Sequence, residues 1–424
     1  MLLFSIVLLL VLLFIGMPIG FVLLFVGSFG IFFSEGYNVL HGILATTAYR
    51  SVNNFTFSAI PLFIVMAHFI SKSKVADDIF DSMLKWVGHT PGGAGVATVL
   101  ASGGFGALTG TSIAATAVMS QIAVPKMIQA RYPESIASGL VATSTGTLAA
   151  LIPPSVPLIL YGIQTENSIG QLLVAGILPG LLLAFLLCIT VVAIGLKNNI
   201  KTEKYTWKER WMSLKTIWPA ILLIVLVLIV IYFGIATTTE AAAFGAVGAL
   251  VIGLALKRLN AKQIIDSLMT TARQTAMIFT IIVGAHVFSY YIAMTRVGND
   301  ILNAISLSGF SPLTVLLLIF LMYLILGMFM DLIGTMLLTL PLVYPLIVGL
   351  GYDPIWFGVV LVLLLEIGLV TPPVGMNLFI TNQNSGVPVN KVLIGSIPFI
   401  IVLLLLILIL VIFPQLATYL PSLM

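Results

Sequence analysis

The chain has 424 residues, 60% of them hydrophobic and 8% charged, and its mean hydropathy is +1.20. That composition excludes a soluble globular domain and describes an all-α polytopic membrane protein. The net charge of +4 calls for no nucleic-acid partner, and the single cysteine, Cys188, excludes a disulfide framework or a Cys-based metal site.

Apolar segments long enough, or nearly so, to cross a bilayer occupy about 1–15, 17–33, 52–71, 135–163, 171–196, 217–234, 240–256, 267–294, 355–380 and 391–418. The first lacks a basic leader and a small-residue cleavage site, so it reads as a retained helix. Two further apolar regions, about 91–127 and 298–347, are too rich in Gly, Ser, Thr and Pro for plain spans. Each reads as a re-entrant helical hairpin. Two of the spans are broken by proline pairs, Pro153-Pro154 within 135–163 and Pro372-Pro373 within 355–380. Proline removes a backbone donor and clashes with the preceding turn. Inside a bilayer such broken backbone is tolerated only where protein or a cavity surrounds it.

Charge supports this order of elements. The loop 197–216 carries six Lys/Arg and is set in the cytoplasm. Alternating sides at each crossing, and returning at each hairpin, then puts every Lys and Arg in cytoplasmic loops except Arg50, Arg273 and Arg296. Both termini come out periplasmic, with ten crossings, a first hairpin opening inward and a second opening outward.

The chain also repeats itself. Residues 124–162 resemble 344–380: Pro125 matches Pro345, Tyr132 matches Tyr352, and the two proline pairs align with one residue of slip. "ATTAYRS" (45–51) echoes "MTTARQT" (269–275). The halves are about 1–216 and 217–424, each with five crossings and one hairpin. An odd number of crossings inverts the second half. Inverted repeats with paired broken helices point to secondary transport, with the site near the midplane where the breaks meet.

Candidate site residues cluster at those breaks. In the first hairpin, Thr109, Gly110, Thr111 and Ser112 place hydroxyls and flexible backbone at the expected tip. Such a tip can coordinate Na+ through oxygens or meet a carboxylate with helix N-terminal N–H groups. The first broken helix adds Ser144, Thr145, Thr147 and Ser155, and the second adds Gly368, Thr371 and Asn377. In the second hairpin, "LGMFMDLIGTM" contributes Gly327, Asp331 and Gly334. Asp331 is a lone intramembrane acid and a functional candidate on that ground. It aligns with Thr111, at the matching hairpin tip. We take Gly110, Ser144, Thr145, Thr147, Gly327, Gly334, Gly368, Thr371 and Asn377 as Na+ candidates. Thr109, Thr111, Ser112, Ser155, Arg296 and Asp331 are the substrate-binding candidates, Arg296 because a carboxylate suits its planar fork. Arg50 and Arg273 read as anchors, and His68 and His286 as packing residues. Glu240 and Glu366 are expected to pair within the protein or to face the other half. No Walker A, HExxH, Cys-His or GxSxG pattern is present, which argues against ATP as direct energy source and against an intramembrane enzyme.

At this point a family can be named. "IPLFIVMAHFI", "ALTGTSIAATA", "IPPSVPLILYG", "AGILPG", "GMFMD", "GYDPIWFG" and "TPPVGMNLF", in order between about residues 16 and 400, together resemble the large membrane subunit of tripartite ATP-independent periplasmic (TRAP) transporters. The resemblance implies a multi-pass protein of the bacterial inner membrane and an elevator-type carrier of the ion-transporter superfamily. It implies a small four-helix membrane subunit and a periplasmic substrate-binding protein as partners. It also implies Na+-coupled import of a carboxylate. The family's hairpin serine cluster maps to Thr109, Thr111 and Ser112, its double-proline serine to Ser155, and its second-hairpin acid to Asp331. Where the family often has Gly-Glu after "LFIVM", this chain has Ala67-His68. The site is hydroxyl-rich with few positive charges, which puts sialic acid ahead of a C4-dicarboxylate. The alternatives are a proton-coupled carboxylate carrier and a membrane scaffold or channel that does not transport.

Overall fold

The computed structural model describes residues 2–198, 200, 204–297, 300 and 310–424. Every regular element among them is helical. In chain order these are α1 (Leu2–Phe14), α2 (Ile19–Glu35), α3 (Tyr37–Val52), α4 (Ala59–Lys72), α5 (Val75–Val87), α6 (Gly93–Thr109), α7 (Ser112–Gln129), α8 (Glu134–Leu151), α9 (Val156–Thr165), α10 (Ile169–Ala175) and α11 (Ile177–Lys197). The second half contributes α12 (Trp207–Tyr232), α13 (Thr238–Ala255), α14 (Ala261–Thr295), α15 (Pro312–Gly327), α16 (Leu332–Gly349), α17 (Pro354–Leu369), α18 (Met376–Ser385) and α19 (Val389–Ile412). The start of the expected second hairpin, 298–299 and 301–309, lies outside the described residues.

Among the described residues seven stretches are long and apolar enough to cross a membrane, and α8 with α9 makes an eighth, bent by 46° at Ile152–Ser155. The expected spans at 1–15 and 17–33 are helices of 13 and 17 residues, shorter than a full span. Two helices had no counterpart in the hydropathy pattern. α3 is mostly exposed, and α5 is amphipathic, with Val75, Ala76, Ile79 and Phe80 buried and Asp77, Asp81 and Lys85 on other faces.

Local chemistry explains where the helices begin. Thr206 with Glu209, Thr237 with Glu240, and Asn260 with Gln263 form capping boxes at the starts of α12, α13 and α14. In each, the two side chains satisfy amides that the helix leaves unpaired. This corrects the expectation for Glu240. Its carboxylate accepts from the Thr237 amide at 2.7 Å and hydroxyl at 2.8 Å, on an exposed helix end, and among the described residues it forms no ion pair across the protein.

The helices pack most extensively in two groups, which meet where α4 touches α6 and α14 touches α16. In one, α2 lies along α14 and α4 along α13. The α2–α14 approach depends on small residues: a Cβ on Gly20 or Gly27 would come within 2.9 or 2.8 Å of α14 backbone, the kind of close contact that holds membrane helices together. In the other group, α6, α7 and α19 surround α8, while α15 and α16 flank α17. α8 is buried from Ala137 to Leu151 and α17 from Trp356 to Leu369. A helix covered on all sides can be apolar nearly throughout, as α17 is except for Glu366, or filled with small hydroxyl residues, as α8 is. Helices at the rim keep an exposed apolar stripe, such as Leu181, Phe185 and Ile189 on α11.

One buried contact depends on a proline. Pro414 has no N–H to offer the Leu410 carbonyl four residues before it. The Trp356 indole donates to that carbonyl at 2.8 Å instead. Replacing Trp356 with Phe should therefore strand a buried acceptor and cost about 1–3 kcal/mol, read as a lower melting temperature of the detergent-solubilised protein.

Candidate functional site

The first hairpin tip is built by a glycine. α6 ends at Thr109, Gly110 takes the left-handed conformation (φ +61°), and Thr111 in extended conformation starts α7. A Cβ on Gly110 would sit 2.3 Å from the Pro154 carbonyl oxygen, so the tip rests directly on the first proline break. The Val156 amide donates to the Gly110 carbonyl at 3.0 Å. At the same break Ser155 caps α9, its hydroxyl accepting from the Leu158 amide at 3.3 Å and donating to the Ala150 carbonyl.

The second hairpin repeats the arrangement. α15 ends at Gly327, and Asp331 caps α16, one oxygen accepting from the Gly334 amide at 3.1 Å. The Val374 amide donates to the Met328 carbonyl at 3.1 Å. A Cβ on Gly368 would come within 2.5 Å of the Gly327 backbone. Each tip is thus hydrogen-bonded to the proline break of its own half. Thr111 and Asp331, aligned in the sequence repeat, occupy the same position, the residue that starts the second hairpin arm. Both proline pairs hold a cis peptide.

The two halves meet at Ser112. Its hydroxyl donates to Glu366 Oε2 at 2.9 Å and accepts from Asn377 Nδ2 at 3.0 Å. A Cβ on Gly146 would fall 2.2 Å from Ser112 Oγ, 2.6 Å from Asn377 Nδ2 and 3.0 Å from Glu366 Oε2. The first hairpin, the middle of α8, the end of α17 and the start of α18 therefore converge on one buried polar point. Glu366 and Asn377 are both 0% exposed. Sequence reasoning selected Ser112 and Asn377 but left Glu366 without a role. The bond from Ser112 to Glu366 agrees with the expectation that Glu366 pairs within the protein or faces the other half.

The other candidates divide by what their hydroxyls do. Thr109, Thr147 and Thr371 donate to carbonyls of their own helices, Phe105 at 3.2 Å, Thr143 at 2.7 Å and Ile367 at 2.6 Å. Their lone pairs stay free to accept or coordinate. Thr145 bonds Ser102 at 2.9 Å, which ties α8 to α6. Ser144 Oγ, Thr116 Oγ1, Glu366 Oε1 and Asn377 Oδ1 are buried without a partner. Each is an oxygen, the donor type that an alkali-metal ion takes. Among the described residues no group of three or more His, Cys, Asp or Glu could hold a transition metal. Arg296 ends α14 in a left-handed conformation and is exposed; among the described residues no hydrogen bond or ion pair joins it to the other candidates. His68 bonds Gln274 at 3.1 Å and His286 bonds Ser51 at 2.6 Å, both in contacts onto α14. A cavity of about 200 Å3 beside Pro153 is lined by apolar residues, including Leu173, Val174 and Ile177, and lacks the chemistry of a carboxylate site.

The family model described as "Tripartite ATP-independent periplasmic transporter, DctM component" matches residues 6–416. The chain belongs to this family. It is 33% identical over 382 residues to the C4-dicarboxylate TRAP transporter large permease protein of Pseudomonas aeruginosa, covering 89% of each chain. It is 32% identical over 414 residues to the sialic acid TRAP transporter large permease protein of Vibrio cholerae, covering 97% of this chain and 96% of that one. The fold is similar to that of the YdaH transporter of Alcanivorax borkumensis, with a TM-score of 0.61 at 14% identity over 92% of this chain and 88% of the other. The protein is therefore a TRAP large permease subunit, a multi-pass membrane transporter and not an enzyme. TRAP large permeases work with a small membrane subunit and a periplasmic binding protein.

Proposed function

We propose that this TRAP permease imports a carboxylate together with Na+, at a site enclosed by the two hairpin tips and the two proline breaks. The observation that carries the reading is the pairing of tips and breaks. Gly110 is bonded to Val156 and Met328 to Val374, and Thr111 and Asp331 sit at matching tips. Two such junctions in halves 1–216 and 217–424 support inverted repeats with the site between them. α8 and α17 meet the α2, α4, α13 and α14 layer chiefly through their neighbours, α6 on α4 and α16 on α14, an arrangement that supports an elevator mechanism in which the first group moves against the second. On this reading Thr109, Thr111, Ser112, Ser155, Arg296 and Asp331 face the substrate. Ser144, Thr145, Thr147, Thr371 and Asn377, with backbone at Gly110, Gly327, Gly334 and Gly368, supply oxygens to the ion.

The two relatives carry different substrates at nearly equal identity, so likeness does not choose between them. The chemistry favours sialic acid over a C4-dicarboxylate. The junctions are rich in hydroxyls, and Arg296 is the one arginine near the second hairpin. A second carboxylate on a small substrate would call for a second arginine. The distribution of basic residues along the loops supports an orientation with both termini periplasmic, in the bacterial inner membrane that the family implies.

The test is uptake into proteoliposomes that hold this chain and its small subunit, with the cognate binding protein outside. Labelled sialic acid should enter, succinate should not, and entry should need both an inward Na+ gradient and the binding protein. Uptake driven equally well by a proton gradient without Na+ would overturn the ion assignment. Leakage that does not saturate would overturn the carrier reading in favour of a channel.

A further inference from the structure

We propose that Glu366 Oε1 and Asn377 Oδ1 are ligands of a monovalent cation held behind the first hairpin tip, so that the ion ties the two halves together. This deepens the Na+ reading above and rests on it.

Hydrogen-bond accounting leads to the ion. Ser112 has one hydroxyl hydrogen, and it goes to Glu366 Oε2. The Asn377 amide must then present its N–H to Ser112 Oγ, as it does at 3.0 Å. That assignment turns Asn377 Oδ1 away from Ser112. Glu366 Oε1, the other end of the same carboxylate, and Asn377 Oδ1 are both left buried and unpartnered. An ionised carboxylate oxygen and an amide oxygen only accept. Two buried acceptors, each the free end of a group bonded to the same Ser112 hydroxyl, call for positive charge or hydrogens from outside the chain.

Charge selects between those. Glu366 is 0% exposed, and among the described residues no Lys, Arg or His pairs with it; the three ion pairs are Asp81–Lys126, Asp78–Arg258 and Glu134–Lys391. An isolated buried carboxylate is costly unless something compensates it. One monovalent cation balances one carboxylate. A divalent ion would leave excess charge and usually recruits more carboxylates. Water would bring hydrogens but no charge. Gly146 contributes by omission, because any side chain there would occupy the position of Ser112 Oγ.

The location gives the ion a structural consequence. Ser112 belongs to the first hairpin, while Glu366 and Asn377 bracket the second proline break, 254 and 265 residues away. With the carboxylate compensated, hairpin, α17 and α18 hold together; without compensation, the charge works to separate them.

The test uses the full chain purified with its small subunit and melted in choline chloride, with NaCl replacing choline at constant total salt. The wild-type melting temperature should rise with Na+ and saturate, while KCl gives less. Glu366→Gln should raise the half-saturating Na+ at least tenfold and melt no lower than wild type in choline alone. Asn377→Ala should weaken the Na+ response in the same direction and serves as the second variant should Glu366→Gln not fold. If Glu366→Gln follows the wild-type Na+ curve, and wild-type uptake still needs Na+, this site is wrong while Na+ coupling stands. If wild type responds to Na+ in neither melting nor uptake, both ideas fall. Stabilisation of wild type by acid instead of Na+, lost in Glu366→Gln, would show a proton on the carboxyl and overturn the cation.

Discussion

Asp331→Ala should reduce uptake to the level of empty vesicles while lowering stability only modestly. Asp331 caps α16 by accepting the Gly334 amide, and losing an N-cap of this kind costs about 0.5–2 kcal/mol. A negative charge at a helix N-terminus adds about 0.3–1 kcal/mol more. Those terms do not unfold a large helical protein. The carboxylate is expected to matter more for transport, because it starts the second hairpin arm where Thr111 starts the first. Asp331→Ser separates the two roles. Serine caps nearly as well as aspartate but carries no charge. Melting should recover in Asp331→Ser while uptake stays absent. Full uptake by the serine variant would reduce Asp331 to a cap and remove it from the site.

How much of this site could be read from the sequence depended on the kind of signal. Proline pairs and glycine-hydroxyl runs are local, and the helix breaks at Gly110–Thr111, Ile152–Ser155, Met328–Asp331 and Val370–Gly375 lie within those runs. The alignment of Thr111 with Asp331 was equally legible, because a repeat compares two positions with no knowledge of contacts. Partners were not legible. Ser112 and Glu366 are 254 residues apart, and no local pattern announces their contact. Glu366 nevertheless carried a signal, as the only acid in "VVLVLLLEIGLV". The rule that singled out Asp331, that intramembrane acids are functional, applied to it equally. Glu240 was misread for the opposite reason. Its role is local, and Thr237-x-x-Glu240 before an apolar run is a capping box on sight. α3 and α5 were missed because hydropathy finds spans, and neither helix is apolar enough to be one. The repeats also differ there: α3 and α4 are separated at Asn53–Ser58, whereas the matching stretch of the second half continues through α14.

Gly395→Ala should cost folded protein, although it adds a single methyl group. The ideal Cβ would lie 1.7 Å from the Ser135 carbonyl oxygen, and a Cβ on Gly139 would lie 2.1 Å from the Gly395 carbonyl carbon. The obstacle in each case is backbone, so no rotamer change relieves it. α8 and α19 would have to separate. Overpacking a well-filled interior commonly costs about 1–3 kcal/mol, and this contact sits at the stiff end of that range. Separation would also strain the Ser396 hydroxyl's contact with the Gly139 carbonyl, at 3.4 Å, and the Lys391–Glu134 pair at 2.8 Å. Gly104→Ala is the control. Its Cβ meets only Ile79 Cγ2, at an ordinary 3.5 Å, and alanine is favoured over glycine in a helix by about 1 kcal/mol. Monodisperse yield and melting temperature should therefore fall for Gly395→Ala and hold or rise for Gly104→Ala. The comparison also bears on transport, because Gly139 lies two turns from Gly146 on α8. If Gly395→Ala folds but loses uptake, α8 has moved relative to Ser112, Glu366 and Asn377, and the α8–α19 contact sets the geometry of the site. If it folds and transports normally, the close approach of α8 and α19 has slack, and the position of Gly146 is held by the hairpin instead.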